Sequence, residues 1–260
     1  KCCFRNCMRV KNKTIIVTGA GSGMGAAIAV RLASEGANVI VNDIIESRCK
    51  AVTSEILDAR NSATYFIANM TKSCEVKELM EYAIARYGNL DVVINNAGWT
   101  HYKQSALSVT EDEFDKVYDT NVKSIYLSSI HAIPIFRLQG GGSFINIGST
   151  AGIRSSLGLS WYNGTKAAVI ITSRSLAVEF GPENIRTNVI NPGFNPTTRL
   201  SEAFAGGPLT EETLQPRLAA VPLGRFTSST DVANAALYLA SDEAAFINGT
   251  CIEVDGGRSV

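Results

Sequence analysis

Tyr162 and Lys166 stand four residues apart in a stretch with helical periodicity, so they share one helix face. An ammonium beside a phenol stabilises the phenolate and draws the tyrosine pKa down toward the working range. Tyr162 would then act as a general base toward an alcohol, or as a general acid toward a carbonyl. A Tyr-x-x-x-Lys pair also arises easily by chance, so the spacing needs support from elsewhere in the chain. Ser149 ends a strand-like run, Ile147-Gly148-Ser149. The carboxyl end of a strand faces the ligand crevice of an open α/β sheet, so its hydroxyl could hold a substrate oxygen. A turn or cap serine is the other reading of that position.

A second group of residues suits an anion. Thr18-Gly19-Ala20-Gly21-Ser22-Gly23-Met24-Gly25 follows an apolar run and leads straight into an Ala-rich helix. Glycines let the backbone turn tightly and approach a diphosphate, whose charge sits on the helix N-terminus. Asp43 ends the next strand, at a distance along the chain that suits a ribose-binding carboxylate. It would accept hydrogen bonds from ribose hydroxyls and repel a 2′-phosphate, and it also suits the start of the following helix. Arg48 is the first basic residue after it. This charge pattern favours NAD over NADP. No arginine pair stands out as a handle for a substrate carboxylate or phosphate.

The elements that must position these groups follow from periodicity. Strands are expected at Lys13–Thr18, Ala37–Asn42, Ala63–Ile67, Asp91–Ile94, Ser143–Ile147, Arg186–Ile190 and Cys251–Val254. Helices are expected at Ser22–Ser34, Glu46–Arg60, Lys72–Tyr87, Glu111–Phe136, Trp161–Phe180 and Thr230–Ala240. Such alternation predicts an α/β chain with a doubly wound parallel sheet of about seven strands and helices on both faces. No linker divides the chain. Residues 1–12 read as an N-terminal extension, and 13–260 as one domain. The stretch Phe194–Phe226 is irregular and broken by Pro and Gly, and it follows a strand end; it is expected to be a substrate lid around 194–226.

Composition narrows the function. The 24 Lys and Arg balance the 24 Asp and Glu, which argues against nucleic acid as a partner. The two histidines, His101 and His131, leave little material for a metal centre, and none is expected. No apolar run is long enough to span a membrane. Cys2, Cys3 and Cys7 have poor spacing for zinc and read as free thiols, which suits a reducing, cytoplasmic setting.

Taken together, the chain resembles the classical short-chain dehydrogenase/reductase family. The resemblance rests on Thr18–Gly25, Asn95-Asn96-Ala97-Gly98, Asn121, Ser149, Tyr162-x-x-x-Lys166, Pro192-Gly193-x-x-x-Thr197 and Val254-Asp255-Gly256-Gly257, in that order along nearly the whole chain. It implies a single-domain Rossmann fold and hydride transfer with a nicotinamide cofactor. Gly19, Ser22, Gly23, Met24 and Gly25 would cradle the diphosphate. Asp43 would hold the adenosine ribose, with Asn96, Ala97 and Gly98 lining that side. Tyr162 would be the acid and base, and Lys166 would hold the nicotinamide ribose. Ser149 would orient the substrate oxygen, and Asn121 would hold a water that extends the proton relay. Gly193 and Thr197 would lie on the nicotinamide side. Where the family usually has Asp after the third strand, this chain has Asn69, followed by Met70; the Asn69 amide oxygen could still pair with the adenine amino group.

The substrate is expected to be a moderately apolar alcohol or ketone. Trp99, His101 and Phe194 are candidate wall residues, joined by Ser149 and Tyr162. The helix Lys166–Phe180 is apolar around most of its circumference, which predicts a homo-oligomer, a dimer or the homotetramer common in the family. Three functions follow: an NAD-dependent alcohol dehydrogenase or ketone reductase; an NADP-dependent carbonyl reductase of 3-oxoacyl-carrier-protein-reductase type or of secondary metabolism; and a dinucleotide sensor without chemistry. Retention of Asn121, Ser149, Tyr162 and Lys166 together argues against the third.

Overall fold

In β1 (Thr14–Val17), Ile15 and Val17 point into one apolar core and Ile16 into the other. This two-sided burial is why the strand reads as an unbroken apolar run rather than an alternating one. The computed structural model describes residues 8–260, so Cys2, Cys3, Cys7 and most of the 1–12 extension lie outside the described residues. After β1 come β2 (Asn38–Asp43), β3 (Ser62–Ile67), β4 (Val92–Asn95), β5 (Gly142–Ile147), β6 (Ile185–Pro192) and β7 (Cys251–Val254). All seven pair in parallel, in the order β3-β2-β1-β4-β5-β6-β7. The chain reverses its winding between β1 and β4, and a crevice opens there at the strands' carboxyl ends.

Nine α-helices accompany the sheet among the described residues. They are α1 (Gly23–Ser34), α2 (Glu46–Asp58), α3 (Ser73–Tyr87), α4 (Glu111–Tyr118), α5 (Ser124–Gln139), α6 (Ser160–Phe180), α7 (Ser201–Ala205), α8 (Glu211–Ala219) and α9 (Ser229–Ala240). Ile28 and Leu32 of α1 share one core with Cys49 and Val52 of α2 and with Val232 and Leu237 of α9. Val76, Leu79 and Met80 of α3 share the other with Phe136 of α5, which packs edge-on against Phe144 of β5. No described helix is long and apolar enough to cross a membrane.

Four expectations need correction. The single helix expected over Glu111–Phe136 is two, α4 and α5, joined by the π turn Asp119–Lys123. The turn presents Asn121 inward, where its amide pairs with the Trp99 backbone; a wide turn at a site is a common device. Helix α2 stops at Asp58, because Arg60 adopts the left-handed conformation (φ +60°). Strand β6 runs on to Pro192, carrying Asn191 to the Ser149 backbone. The irregular stretch 194–226 contains α7 and α8, the latter started by a reciprocal Thr210–Thr213 cap.

Candidate active site

The glycine turn after β1 is held from below by the turn after β4. Thr18 Oγ1 accepts from the N–H groups of Asn96 (3.1 Å) and Ala97 (3.0 Å). Asn96 Nδ2 donates to the carbonyls of Thr18 (2.9 Å) and Gly19 (3.1 Å). Asp43 is fixed at the end of β2: its Oδ2 accepts from the Gly21 N–H (3.2 Å) and its Oδ1 from the Ile45 N–H (3.1 Å). Both turns open on a crevice of about 870 Å³. Gly19, Ser22, Gly23, Met24, Gly25, Asp43, Asn69, Met70, Asn96, Ala97, Gly98 and Trp99 line it, as do Tyr162 and Lys166. Arg48 lines it beside Asp43. A crevice of this size, with free turn amides in its middle and a carboxylate at one end, fits a dinucleotide.

A smaller chamber adjoins the crevice. Ser149, Leu159, Tyr162, Gly193, Phe194 and Phe204 are among its walls. Ser149 is set by β6: its N–H donates to Asn191 Oδ1 at 3.0 Å, and its Oγ accepts from the Ala151 N–H at 3.1 Å. Asn191 was absent from the sequence expectations, although it stands just before the Pro192-Gly193 pair. A second buried chain of polar groups was also missed. Asn95 donates to Asn146 and Asn146 to Ser173, each at 2.8 Å, tying β4 and β5 to α6, the helix that carries Tyr162 and Lys166.

Tyr162 and Lys166 are both buried, and burial governs their electrostatics. Desolvation pushes the Tyr162 phenol up to about 12, against a smaller downward pull from the Ser149 hydroxyl. Desolvation alone pulls Lys166 down to about 8. The Lys166 ammonium donates to the Ile147 carbonyl at 2.8 Å and lies 5.8 Å from the centre of the Tyr162 ring. The expectation that Lys166 draws the Tyr162 pKa down is therefore corrected. A helical spacing sets proximity, whereas the low dielectric around the pair sets the sign.

Other expected residues divide. Asn121 is buried; its Oδ1 accepts from Trp99 N–H (2.9 Å), and its Nδ2 donates to Trp99 O (2.9 Å) and Thr165 Oγ1 (3.0 Å). Thr197 lines neither space: its N–H and hydroxyl both donate to Asn195 Oδ1, and Thr198 lines both instead. His101 is buried behind the wall, its Nδ1 donating to the Tyr102 carbonyl at 2.7 Å, and it lines neither space. Asn69 lines the crevice, but its Oδ1 already accepts from the Thr71 N–H (3.0 Å) and Oγ1 (2.9 Å), so its two lone pairs are committed within the turn. No group of residues suited to a metal ion occurs among the described residues.

The switch-point crevice and the adjoining chamber define a dinucleotide-dependent oxidoreductase. The family model described as enoyl-(acyl carrier protein) reductase matches residues 19–259. The chain belongs to the short-chain dehydrogenase/reductase family. It is 42% identical to 4-formylbenzenesulfonate dehydrogenase of Comamonas testosteroni, over 97% of this chain and 100% of that one. Among solved structures it is similar to 3-ketoacyl-(acyl-carrier-protein) reductase from Brucella melitensis complexed with NADH. That match has TM-score 0.90 and 34% identity, and covers 96% of this chain and 100% of that one. A 7α-hydroxysteroid dehydrogenase complexed with NADH and 7-oxo glycochenodeoxycholic acid matches with TM-score 0.90 and 32% identity, over 98% of each chain. This chain is an NAD(P)-dependent oxidoreductase of the alcohol–carbonyl couple.

Proposed function

We propose that the chain transfers hydride between NAD and a secondary alcohol or ketone, with Tyr162 as general acid and base. The observation that carries this reading is the place of Tyr162, whose side chain lines both the dinucleotide crevice and the smaller chamber. A bound nicotinamide supplies the hydride donor or acceptor. Ser149 orients the substrate oxygen next to Tyr162. Tyr162 takes the hydroxyl proton in the oxidising direction and returns it to the carbonyl oxygen in the reducing direction. Lys166 would hold the nicotinamide ribose, Gly19 to Gly25 the diphosphate, and Asp43 the adenosine ribose, with Gly193 toward the nicotinamide. Asn121 acts at one remove, clamping the Trp99 backbone. Residues 13–260 work as one dinucleotide-binding and catalytic domain, with 194–226 as its lid. The free thiols of Cys49, Cys74 and Cys251 support a reducing, cytoplasmic setting.

Asp43 supports NAD as the preferred cofactor. A 2′-phosphate beside its carboxylate meets like-charge repulsion, which at this partly exposed site is worth on the order of a tenfold difference in affinity. Titration is expected to give the lower dissociation constant for NAD, and Asp43→Ser is expected to narrow or invert the gap, since Arg48 then remains the charged neighbour. Tighter NADP binding by the wild type would overturn the preference and favour the second reading, an NADP-dependent reductase of 3-oxoacyl-carrier-protein-reductase type. Arg48 is the observation on that side.

The apolar face of α6 supports a homo-oligomer. Ile171 and Val178 are 60% and 80% exposed on a helix whose other side is packed into the protein. Covering that face with a second copy removes it from water. Light scattering is expected to give twice or four times the chain mass. A monomer at every micromolar concentration would refute the assembly.

A further inference from the structure

The chamber that holds Ser149 and Tyr162 is lined by three arginines, Arg154, Arg217 and Arg258, and by no aspartate or glutamate. In the sequence no arginine pair stands out as a handle for a carboxylate or phosphate, because these three are far apart along the chain. The three come from distant parts of the chain: the loop after β5, helix α8 and the segment after β7. Arg154 Nη1 donates to the Arg258 carbonyl at 3.0 Å, which brings the first and third together. Arg217 Nη2 donates to the Phe204 carbonyl at 3.0 Å, and its guanidinium lies 4.8 Å from the centre of the Phe194 ring. These contacts fix Arg217 in place while leaving most of its donors free. Among the described residues, none of the three joins a salt bridge. Burial, and then the charge of Arg258, hold the Arg217 pKa below the usual arginine value.

Gathering unpaired like charges costs stability, and an anion between them recovers it. The rest of the chamber mixes polar and apolar walls, with Thr150, Ser156, Asn195 and Thr198 beside the apolar and aromatic residues. Leu159, Phe194 and Phe204 line it, with Phe204 set edge-on to Tyr162 at 5.0 Å between ring centres. We infer that the substrate carries a carboxylate or sulfonate held by Arg154, Arg217 and Arg258, with a flat apolar body among Leu159, Phe194 and Phe204 and its reacting carbon at Ser149 and Tyr162. This names the substrate class for the hydride-transfer reading above and rests on it.

The test compares 4-acetylbenzoate, an aryl ketone, with its neutral methyl ester. Calorimetric titration into wild-type protein saturated with NAD is expected to show the acid binding about 30-fold tighter, the scale of a charge-assisted hydrogen-bond pair. Arg217→Gln and Arg258→Gln are each expected to shrink that ratio about tenfold, mainly through the acid. Equal affinity of acid and ester in the wild type overturns the inference. So does a ratio that both folded variants retain. Should the variants fail to fold, the wild type alone decides, through competitive inhibition by benzenesulfonate against benzenesulfonamide; equal inhibition counts against the anion site. Reduction of the two ketones with NADH separates the two claims. Turnover of the ester without preference for the acid removes the anion site and leaves hydride transfer. Tight, arginine-dependent binding of the acid with no turnover of either compound removes hydride transfer and leaves the anion site.

Discussion

Tyr162→Phe is expected to lower kcat by about a thousandfold while leaving the dissociation constant of the cofactor unchanged, the scale of a lost general acid–base group. The substitution deletes one oxygen. The ring keeps its volume and its edge-on contact with Phe204, so the chamber wall stays in place. What disappears is the proton carried between substrate and protein. Burial holds the phenol up at about 12, so it is protonated throughout the neutral range and ready as an acid. Carbonyl reduction by the wild type is therefore expected to stay flat across neutral pH. Alcohol oxidation, which needs the phenolate, is expected to climb as pH rises. Steady-state rates in both directions, with cofactor binding measured separately, check all three statements. Residual turnover within threefold of wild type would remove Tyr162 from the proton step.

The site's local parts were legible because short spacings encode them. A Tyr and a Lys four apart on a helix must share a face, and a glycine-rich turn between a strand and a helix must leave amides free. The parallel sheet covered on both faces needed only the alternation of elements. The parts that were hidden are those that long-range packing decides. Arg154, Arg217 and Arg258 meet only once the loop after β5, helix α8 and the segment after β7 pack around one chamber. The π turn at Asn121 looks like ordinary helix in sequence, since its width is set by pairing with the Trp99 backbone on another segment. His101 was read as a wall residue because it follows the Asn-Asn-Ala-Gly turn, yet the backbone there buries the imidazole behind Tyr102. The sign of the Tyr162 shift was misread for a related reason: spacing reports the neighbouring charge and says nothing of the dielectric.

Gly25→Ala is expected to destabilise the cofactor-free protein by about 3 kcal/mol and to weaken dinucleotide binding at least a hundredfold. A Cβ on Gly25 would stand 2.4 Å from both Asn96 Nδ2 and the Gly19 carbonyl oxygen, and 2.9 Å from Ala20 Cα. Two of these are backbone atoms of the turn itself, so the turn must open. The third is the amide that pins the turn through its bonds to Thr18 and Gly19, so those bonds are lost with it. Overpacking costs about 1–3 kcal/mol, and each hydrogen bond adds about 1 kcal/mol. The same turn supplies its own control. Gly23 has φ +57° and nothing within 4 Å of an added Cβ, so Gly23→Ala meets backbone strain alone, about 1–2 kcal/mol. Thermal melting of the cofactor-free variants is expected to rank Gly25→Ala below Gly23→Ala, by several degrees for a chain of this size. The opposite ranking would mean that the left-handed backbone at Gly23, rather than the contact between Gly25 and Asn96, holds the turn in shape.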